Sequence, residues 1–198
     1  MSESRPPHGP IVRSFAGVSP RIDATAWVAP GAVVVGDVEL ARDVSIWYGS
    51  VLRGDVNHIR IGAGSNIQDQ CTVHVTTDRF PTLIDENVTL GHRAVVHSCR
   101  VGAGALIGIG ALVLDGAVVE PGALVGAGAV VTPGSVIPGG MLAIGIPARP
   151  VRALSDEERR MQIERTRTYV ETARRHAASG PVAGPGGGES ASEREASR

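Results

Sequence analysis

Residues 101–137 read VGAGALIGIGALVLDGAVVEPGALVGAGAVVTPGSVI, a stretch in which one aliphatic residue recurs every six positions. The recurring residues are Val101, Ile107, Val113, Val119, Val125, Val131 and Ile137. With slips, the same period extends upstream to Val28 and gives eighteen hexads in all. Helices repeat about every 3.6 residues and amphipathic strands about every 2, whereas short strands joined by tight turns into a coil repeat about every six. The sequence therefore predicts an all-β solenoid with inward-pointing aliphatic residues and, at three hexads per coil, about six coils.

The composition excludes several function classes. The chain has 198 residues, a formal net charge of −1 and 3% aromatic residues, and all 19 of its basic residues are arginine. The absence of lysine excludes Schiff-base chemistry on lysine and a phosphate-binding loop ending in Gly-Lys-Ser/Thr. Few aromatic residues and no basic excess argue against nucleic-acid binding. No apolar run is long enough for a signal peptide or a membrane span, so we expect a cytoplasmic protein that does not contact membranes. Cys71 and Cys99 are expected to be buried, reduced thiols.

A helix is predicted after the repeat. Ser155-Asp156-Glu157-Glu158 has the pattern of a capping box. Downstream of it, one stripe recurs at helical spacing: Ile163, Thr166, Val170, Ala173 and Ala177. The last residues are Gly, Ser, Pro and charged residues without an apolar repeat, which is typical of disorder. We expect an N-terminal extension over 1–14, a β-helix domain over 15–150, a C-terminal helix packing on it over 151–178, and a disordered tail over 179–198.

Three histidines lie at defined positions on the coil. His74 follows Val73 and His97 follows Val96, and the 23 residues between these two valines are three hexads plus a five-residue insertion within residues 75–81. The two imidazoles therefore stack one coil apart on the outside of the same face, close enough to share a metal ion. His92 comes two residues after an inward-pointing leucine and lies toward a neighbouring edge of the coil. A threefold-related chain could bring its own His92 to the pair, which suggests metal sites between the subunits of a trimer.

The residues around these histidines resemble a known family. The strings are Arg53-Gly54-Asp55-Val56-Asn57, Asn66-Ile67-Gln68-Asp69, Val73-His74 and Gly91-His92-x4-His97. Together they closely resemble the γ-class carbonic anhydrases, and the resemblance runs from about residue 15 to about residue 176. It implies a homotrimeric left-handed β-helix of hexapeptide repeats that holds zinc, or iron or cobalt, between subunits. By resemblance, His74 and His97 come from one chain and His92 from the next.

The resemblance also implies roles for four further residues. Gln68 would hydrogen-bond the metal-bound hydroxide, and Arg53 and Asp55 would hold the interface and the active-site architecture. Tyr169 matches an aromatic residue of the family's C-terminal helix that approaches the site. Asp69 is a catalytic candidate as well, although Asp55 and Asp69 could equally cap solenoid turns through their side chains. Arg53 could serve as an interface ion-pair partner alone.

The implied activity is that of a carbonic anhydrase-like lyase. A metal held by three neutral imidazoles supplies hydroxide near neutral pH, and this hydroxide attacks carbon dioxide to give bicarbonate reversibly. The loop Val75-Thr76-Thr77-Asp78-Arg79-Phe80-Pro81 has one acidic residue and no glutamate, whereas the best-known enzyme of the family has a proton-shuttle glutamate there. We therefore expect weak activity.

Two other classes of function stay open. Hexapeptide-repeat acyltransferases share the fold, and a metal site of this kind could also hydrolyse an acyl-coenzyme A thioester. The chain could also be a structural trimeric scaffold with a vestigial site. Fold alone does not decide among these functions.

Overall fold

A computed structural model describes residues 9–179 and shows a parallel β-solenoid followed by one helix. The prediction of an all-β solenoid with a C-terminal helix is therefore confirmed. Residues 1–8 and the predicted disordered tail from residue 180 onward lie outside the described residues. No helix within residues 9–179 is long and apolar enough to cross a membrane.

The solenoid is a three-sided prism. Face 1 contains β1 (Ile11–Arg13), the start of β4 (Val33–Leu40), the start of β6 (Val51–Ile61), β8 (Thr72–His74), β11 (Val95–His97), β14 (Leu112–Val113) and β17 (Val130–Val131). Face 2 contains β2 (Arg21–Ile22), the ends of β4 and β6, β9 (Thr82–Ile84), β12 (Arg100–Val101), β15 (Val118–Val119) and β18 (Val136–Ile137). Face 3 contains β3 (Trp27–Val28), β5 (Ser45–Ile46), β7 (Asn66–Ile67), β10 (Thr89–Leu90), β13 (Leu106–Ile107), β16 (Leu124–Val125), β19 (Met141–Ile144) and the antiparallel β20 (Arg149–Ala153).

The core is a set of stacked aliphatic columns. On face 1, Leu52 pairs with Val73, Val73 with Val96 and Val96 with Val113, and all four side chains are fully buried. Short β-branched residues suit this stack because they pack on the pleated surface of the next coil.

The solenoid has seven coils, since face 3 contains seven parallel strands, so the expected number of about six is one too low. The additional coil is the last one, formed by β19. Its inward residue is Ala143, which is fully buried and pairs with Val125. A search for Val, Ile or Leu at the core position passes over this coil because its core residue is an alanine.

The helix α1 (Asp156–Ala178) covers face 3. The predicted capping box is present: the Ser155 side chain accepts from the Glu158 amide, and the Glu158 side chain accepts from the Ser155 amide. The predicted stripe is wrong at Ile163 and Ala177, which are both exposed, whereas Gln162, which precedes Ile163, is buried. Gln162 faces the solenoid because its Nε2 donates to the backbone carbonyls of two stacked turns, at 3.0 and 3.4 Å.

A cluster of five rings fastens the C-terminal half of α1 to the first coils. Its members are Trp27, Trp47, Tyr48, Tyr169 and His176. The Trp47 ring lies 5.3 Å from the Tyr169 ring and 5.1 Å from the His176 ring, both edge-on. The Tyr48 hydroxyl lies 2.9 Å from His176 Nδ1. These contacts set the height of α1 along the prism and hence the position of Tyr169.

Candidate metal centre

Two histidines meet on face 1. The register of β8 and β11 places His97 directly over His74, as the repeat spacing predicts. His74 Nδ1 lies 3.0 Å from His97 Nε2, and the two side chains are 18% and 30% exposed. The insertion between them forms the loop of residues 75–81, which leaves the stacking of the coils intact.

Each of these histidines has its other ring nitrogen beside a carboxylate. His74 Nε2 lies 3.1 Å from Asp55 Oδ1, and His97 Nδ1 lies 2.7 Å from Asp115 Oδ1. Because a carboxylate accepts, each of these nitrogens carries the ring proton, and the two nitrogens that face each other carry lone pairs. Two lone pairs at 3.0 Å repel unless a proton or a metal ion lies between them. Ligand nitrogens of a tetrahedral zinc ion lie about 3.4 Å apart for Zn–N distances of about 2.1 Å, so the pair fits a metal ion.

The electrostatics favour the neutral form of His74, which is the form that binds a metal. Burial lowers the pKa of His74, and the Arg53 guanidinium lowers it further, against the opposing effect of Asp55. Burial on its own would raise the pKa of Asp55, but hydrogen bonds from Arg53 and His74 outweigh it and lower that pKa. Arg53 pairs with Asp55, so an arginine holds the carboxylate that orients the imidazole.

The third histidine lies on a different edge of the prism, just after β10. His92 Nδ1 lies 2.8 Å from Asp69 Oδ2, an arrangement that leaves Nε2 as the lone-pair nitrogen, and the side chain is 43% exposed. The buried Gln68 accepts from the His92 amide through Oε1 at 3.2 Å. Residues 9–179 contain no group of three or more His, Cys, Asp or Glu side chains that could hold a metal within one chain. Within one chain, the His74–His97 pair and His92 therefore lie apart.

Tyr169 lies on the His92 side. It lines a groove of about 410 Å³ between α1 and face 3, together with Gln68 and His92. Burial raises the pKa of Tyr169, and the Asp69 carboxylate raises it further. Gln68, Asp69, His92 and Tyr169 therefore share one edge, whereas Arg53 and Asp55 lie with the pair on face 1.

Two residues beside the histidine pair, Asp115 and Thr76, are not predicted from the sequence. Asp115 accepts from the Thr76 hydroxyl at 2.6 Å through the oxygen that does not face His97. Leu114-Asp115-Gly116 reads as an ordinary solenoid turn. The spacing did contain a signal, because Val113 stacks on Val96 and a residue two positions after Val113 must lie near His97.

The sequence of the chain is similar to those of carbonic anhydrases. No family model matches the sequence. The chain is 47% identical over 164 residues to Gamma carbonic anhydrase 2, mitochondrial, of Arabidopsis thaliana, with 80% of this chain and 59% of that protein covered. It is 52% identical over 143 residues to a Methanocaldococcus jannaschii protein named "Probable carbonic anhydrase", with 72% of this chain and 89% of that protein covered. The chain spans only 59–64% of the length of the three Arabidopsis relatives it matches.

A solved structure is similar throughout the solenoid. It is a hexapeptide transferase family protein from Anaplasma phagocytophilum, with a TM-score of 0.81 and 39% identity over 84% of this chain and 98% of that one. This likeness confirms the predicted fold class, a left-handed parallel β-helix of hexapeptide repeats with a C-terminal helix.

Proposed function

The chain belongs to the γ-class carbonic anhydrase family, and from that premise we propose that it hydrates carbon dioxide reversibly to bicarbonate at metal sites between the subunits of a homotrimer. One observation carries the proposal. Two facing imidazole nitrogens on face 1 are placed to bind one cation between them, and a third histidine, held by its own aspartate, lies on another edge. A second copy of the chain is the simplest source of the missing ligand.

The outer surface of face 1 supports assembly. From β4 to β17 its outward column beside the histidine pair is aliphatic and half-buried except at the exposed Thr72; the column is Val33, Val51, Thr72, Val95, Leu112 and Val130. Face 3 is covered by α1. The outward column of face 2 combines charged residues with aliphatic ones: Glu39, Arg60, Leu83, Arg100, Val118 and Val136. A solvated sheet surface is normally polar, so an apolar outer surface is typical of an interface. This surface leads directly to the two histidines that need a third ligand.

The residues fit a divalent metal with an open position. His74 and His97 would hold it from one subunit and His92 from the next. A metal held by three neutral imidazoles keeps its full charge and supplies hydroxide near neutral pH for addition to carbon dioxide. We propose zinc, with iron or cobalt as alternatives, because imidazole suits all three and availability decides among them.

The chain's own residues prepare this site. Asp55 and Asp69 hold the ring protons of His74 and His92, so that the opposite nitrogens stay free for the metal. Arg53 holds Asp55 in place. Gln68 is fixed by accepting from the His92 amide and donating to Asn66 Oδ1 at 3.2 Å, which leaves its second N–H to orient a substrate oxygen. The loop of residues 75–81 has Asp78 as its one acid, and we propose that slow proton transfer limits the activity.

Metal content per chain of the anaerobically purified protein tests the site. We expect about one metal ion per chain in the wild type and in His58→Ala, a histidine outside the ligand set, and none in His92→Ala. Carbon dioxide hydration should follow the metal content. Full metal occupancy in His92→Ala would overturn the proposal.

Mixed trimers test whether the site is shared. His74→Ala and His92→Ala chains should each lack metal on their own. When they are co-expressed in equal amounts, about a quarter of the interfaces should combine an intact pair with an intact His92 and regain metal. A ligand set within one chain predicts no recovery.

Thioester hydrolysis is a second candidate, since the groove beside His92 is far larger than carbon dioxide requires. Its walls include Leu106, Ile109 and Leu124, which suit an acyl chain. Hydrolysis of a short acyl-coenzyme A by the metal-loaded protein, with no carbon dioxide hydration, would favour this candidate.

A further inference from the structure

We propose that Asp115 is a positioning residue for His97, and that Thr76 couples this carboxylate to the loop of residues 75–81, so that the loop contributes to metal affinity. The inference rests on the proposed function, because His97 acts as a ligand only if a metal binds. It concerns a carboxylate outside the sequence strings that resemble the family.

The geometry of Asp115 is that of a clamp. Asp115 lies in the turn after β14, one coil beyond β11. Oδ1 accepts from His97 Nδ1 at 2.7 Å, and Oδ2 accepts from the Thr76 hydroxyl at 2.6 Å. Because each oxygen has its own partner on a different segment, the carboxylate has one orientation. That orientation places the ring proton of His97 on Nδ1 and directs the Nε2 lone pair toward His74.

Thr76 is held from three sides at the start of the loop. Besides donating to Asp115, its hydroxyl accepts from Ser98 Oγ at 2.9 Å, and its backbone carbonyl accepts from Asn57 Nδ2 at 3.2 Å. Ser98 directly follows His97. The Thr76 hydroxyl therefore connects the loop of residues 75–81 both to Ser98, which follows His97, and to Asp115, which bonds the His97 ring.

The backbone at Ser98 is strained, which indicates that its hydroxyl has a role. Ser98 has a φ of +49°, in the left-handed region. The same corner of the next two coils is Gly116 and Gly134, both with positive φ. A serine in this conformation is disfavoured relative to glycine, so a hydrogen bond that glycine cannot make offsets the strain.

Two substitutions separate the parts of the clamp. Asp115→Asn keeps the size of the side chain and removes its charge, and we expect metal affinity to fall about 10- to 100-fold. Thr76→Val keeps the shape of the side chain, leaves Asp115 in place and removes the link to the loop, and we expect a smaller loss of metal affinity. Asp85→Asn is the matched control, because Asp85 also lies in a turn and is ion-paired, but with Arg100 on face 2. It should bind metal as the wild type does.

The test uses the full-length apo protein. Zinc affinity is measured by competition with a chelator, and the protonation of the His97 ring nitrogens is measured by nitrogen-15 NMR without metal. The wild type should carry the proton on Nδ1, and Asp115→Asn should populate the Nε2-protonated form. Thermal unfolding checks that each variant is folded.

The outcomes distinguish this inference from the proposed function. If the wild type binds zinc and both Asp115→Asn and Thr76→Val match it in affinity and in ring protonation, the clamp is wrong and the proposed function stands. If the wild type binds no metal, the proposed function fails, and the ring protonation of His97 alone decides the role of Asp115. An unchanged tautomer in Asp115→Asn then overturns the inference.

Discussion

Replacing Gly108 with alanine should force two coils apart. Gly108 follows β13, and a Cβ added to it would lie 2.5 Å from the Ala127 amide nitrogen and 2.7 Å from the Gly126 carbonyl carbon. Ordinary contact begins at 3.4 Å, so the coils must separate by roughly 0.9 Å. The Gly108 amide donates to the Val125 carbonyl at 2.7 Å, and this separation stretches the bond to about 3.6 Å, which is too long for a hydrogen bond.

The stability cost follows from the groups left without partners. A buried amide and a buried carbonyl that lose their partner cost about 1–3 kcal/mol each, so Gly108→Ala should lower the free energy of unfolding by about 2–6 kcal/mol. For a domain of this size, that corresponds to a fall in Tm of roughly 4–24 °C.

Gly110→Ala is the matched control on the same turn. Gly110 has a φ of +66°, but an added Cβ would meet nothing within 4 Å. The substitution therefore costs only about 1 kcal/mol of backbone strain, partly offset by the reduced freedom of the unfolded chain, and Tm should fall by roughly 4 °C or less. Thermal unfolding is followed by circular dichroism at equal protomer concentration, because assembly makes Tm depend on concentration. A Gly108→Ala variant as stable as Gly110→Ala would refute the reasoning.

Three further predictions concern the thiols and the helix. Burial raises the pKa of both Cys71 and Cys99 to about 12, so a thiol reagent at pH 8 should label neither cysteine in the native protein and both after unfolding; equal rates in the two states would contradict this. Hydrogen bonds from the Arg152 side chain and the Ser155 amide lower the pKa of Glu158 from 4.5 to about 2. The stabilisation of the helix by the Glu158 carboxylate is therefore fully present above about pH 4.5 and is lost as the pH falls toward 2. Ellipticity at 222 nm should fall in that window in the wild type, and Glu158→Gln should show a flatter profile. Trp47→Ala removes the indole that packs against α1 and should accelerate proteolysis within the helix, with unchanged cleavage counting against the role of the ring cluster.

The repeat made the coil and the stacked histidines predictable. A period of six converts sequence distance into position, so residues that follow Val73 and Val96 must stack wherever the intervening segment closes a full coil. The same rule places Gln68 near His92, since Ile67 and Leu90 share a column. No tertiary information beyond the stacking rule is needed for either placement.

The six-residue period does not predict side-chain positions that depend on the path of neighbouring backbone. Gln162 faces the solenoid although Ile163 is apolar, because its amide donates to two turn carbonyls and an isoleucine side chain has no donor. Asp115 resembles a turn residue in the sequence because its role depends on the loop of residues 75–81, whose path the repeat does not specify. Its partner Thr76 lies 39 positions away and meets it only through that loop.

Three strained corners of the coil lie beside the site. From Gly104 onward, the described residues with positive φ are all glycine, whereas Gln70, Arg93 and Ser98 have positive φ upstream, and each directly follows a site residue. Asp and Asn tolerate this conformation, whereas Gln, Arg and Ser gain no local relief from it. Arg93 Nε donates to Gln70 Oε1 at 3.0 Å, which braces the turns that hold His92 and its aspartate. Glycine would relieve the strain at each of these corners. We therefore infer that Gln70, Arg93 and Ser98 are retained for the contacts that their side chains make, and these contacts surround the three histidines.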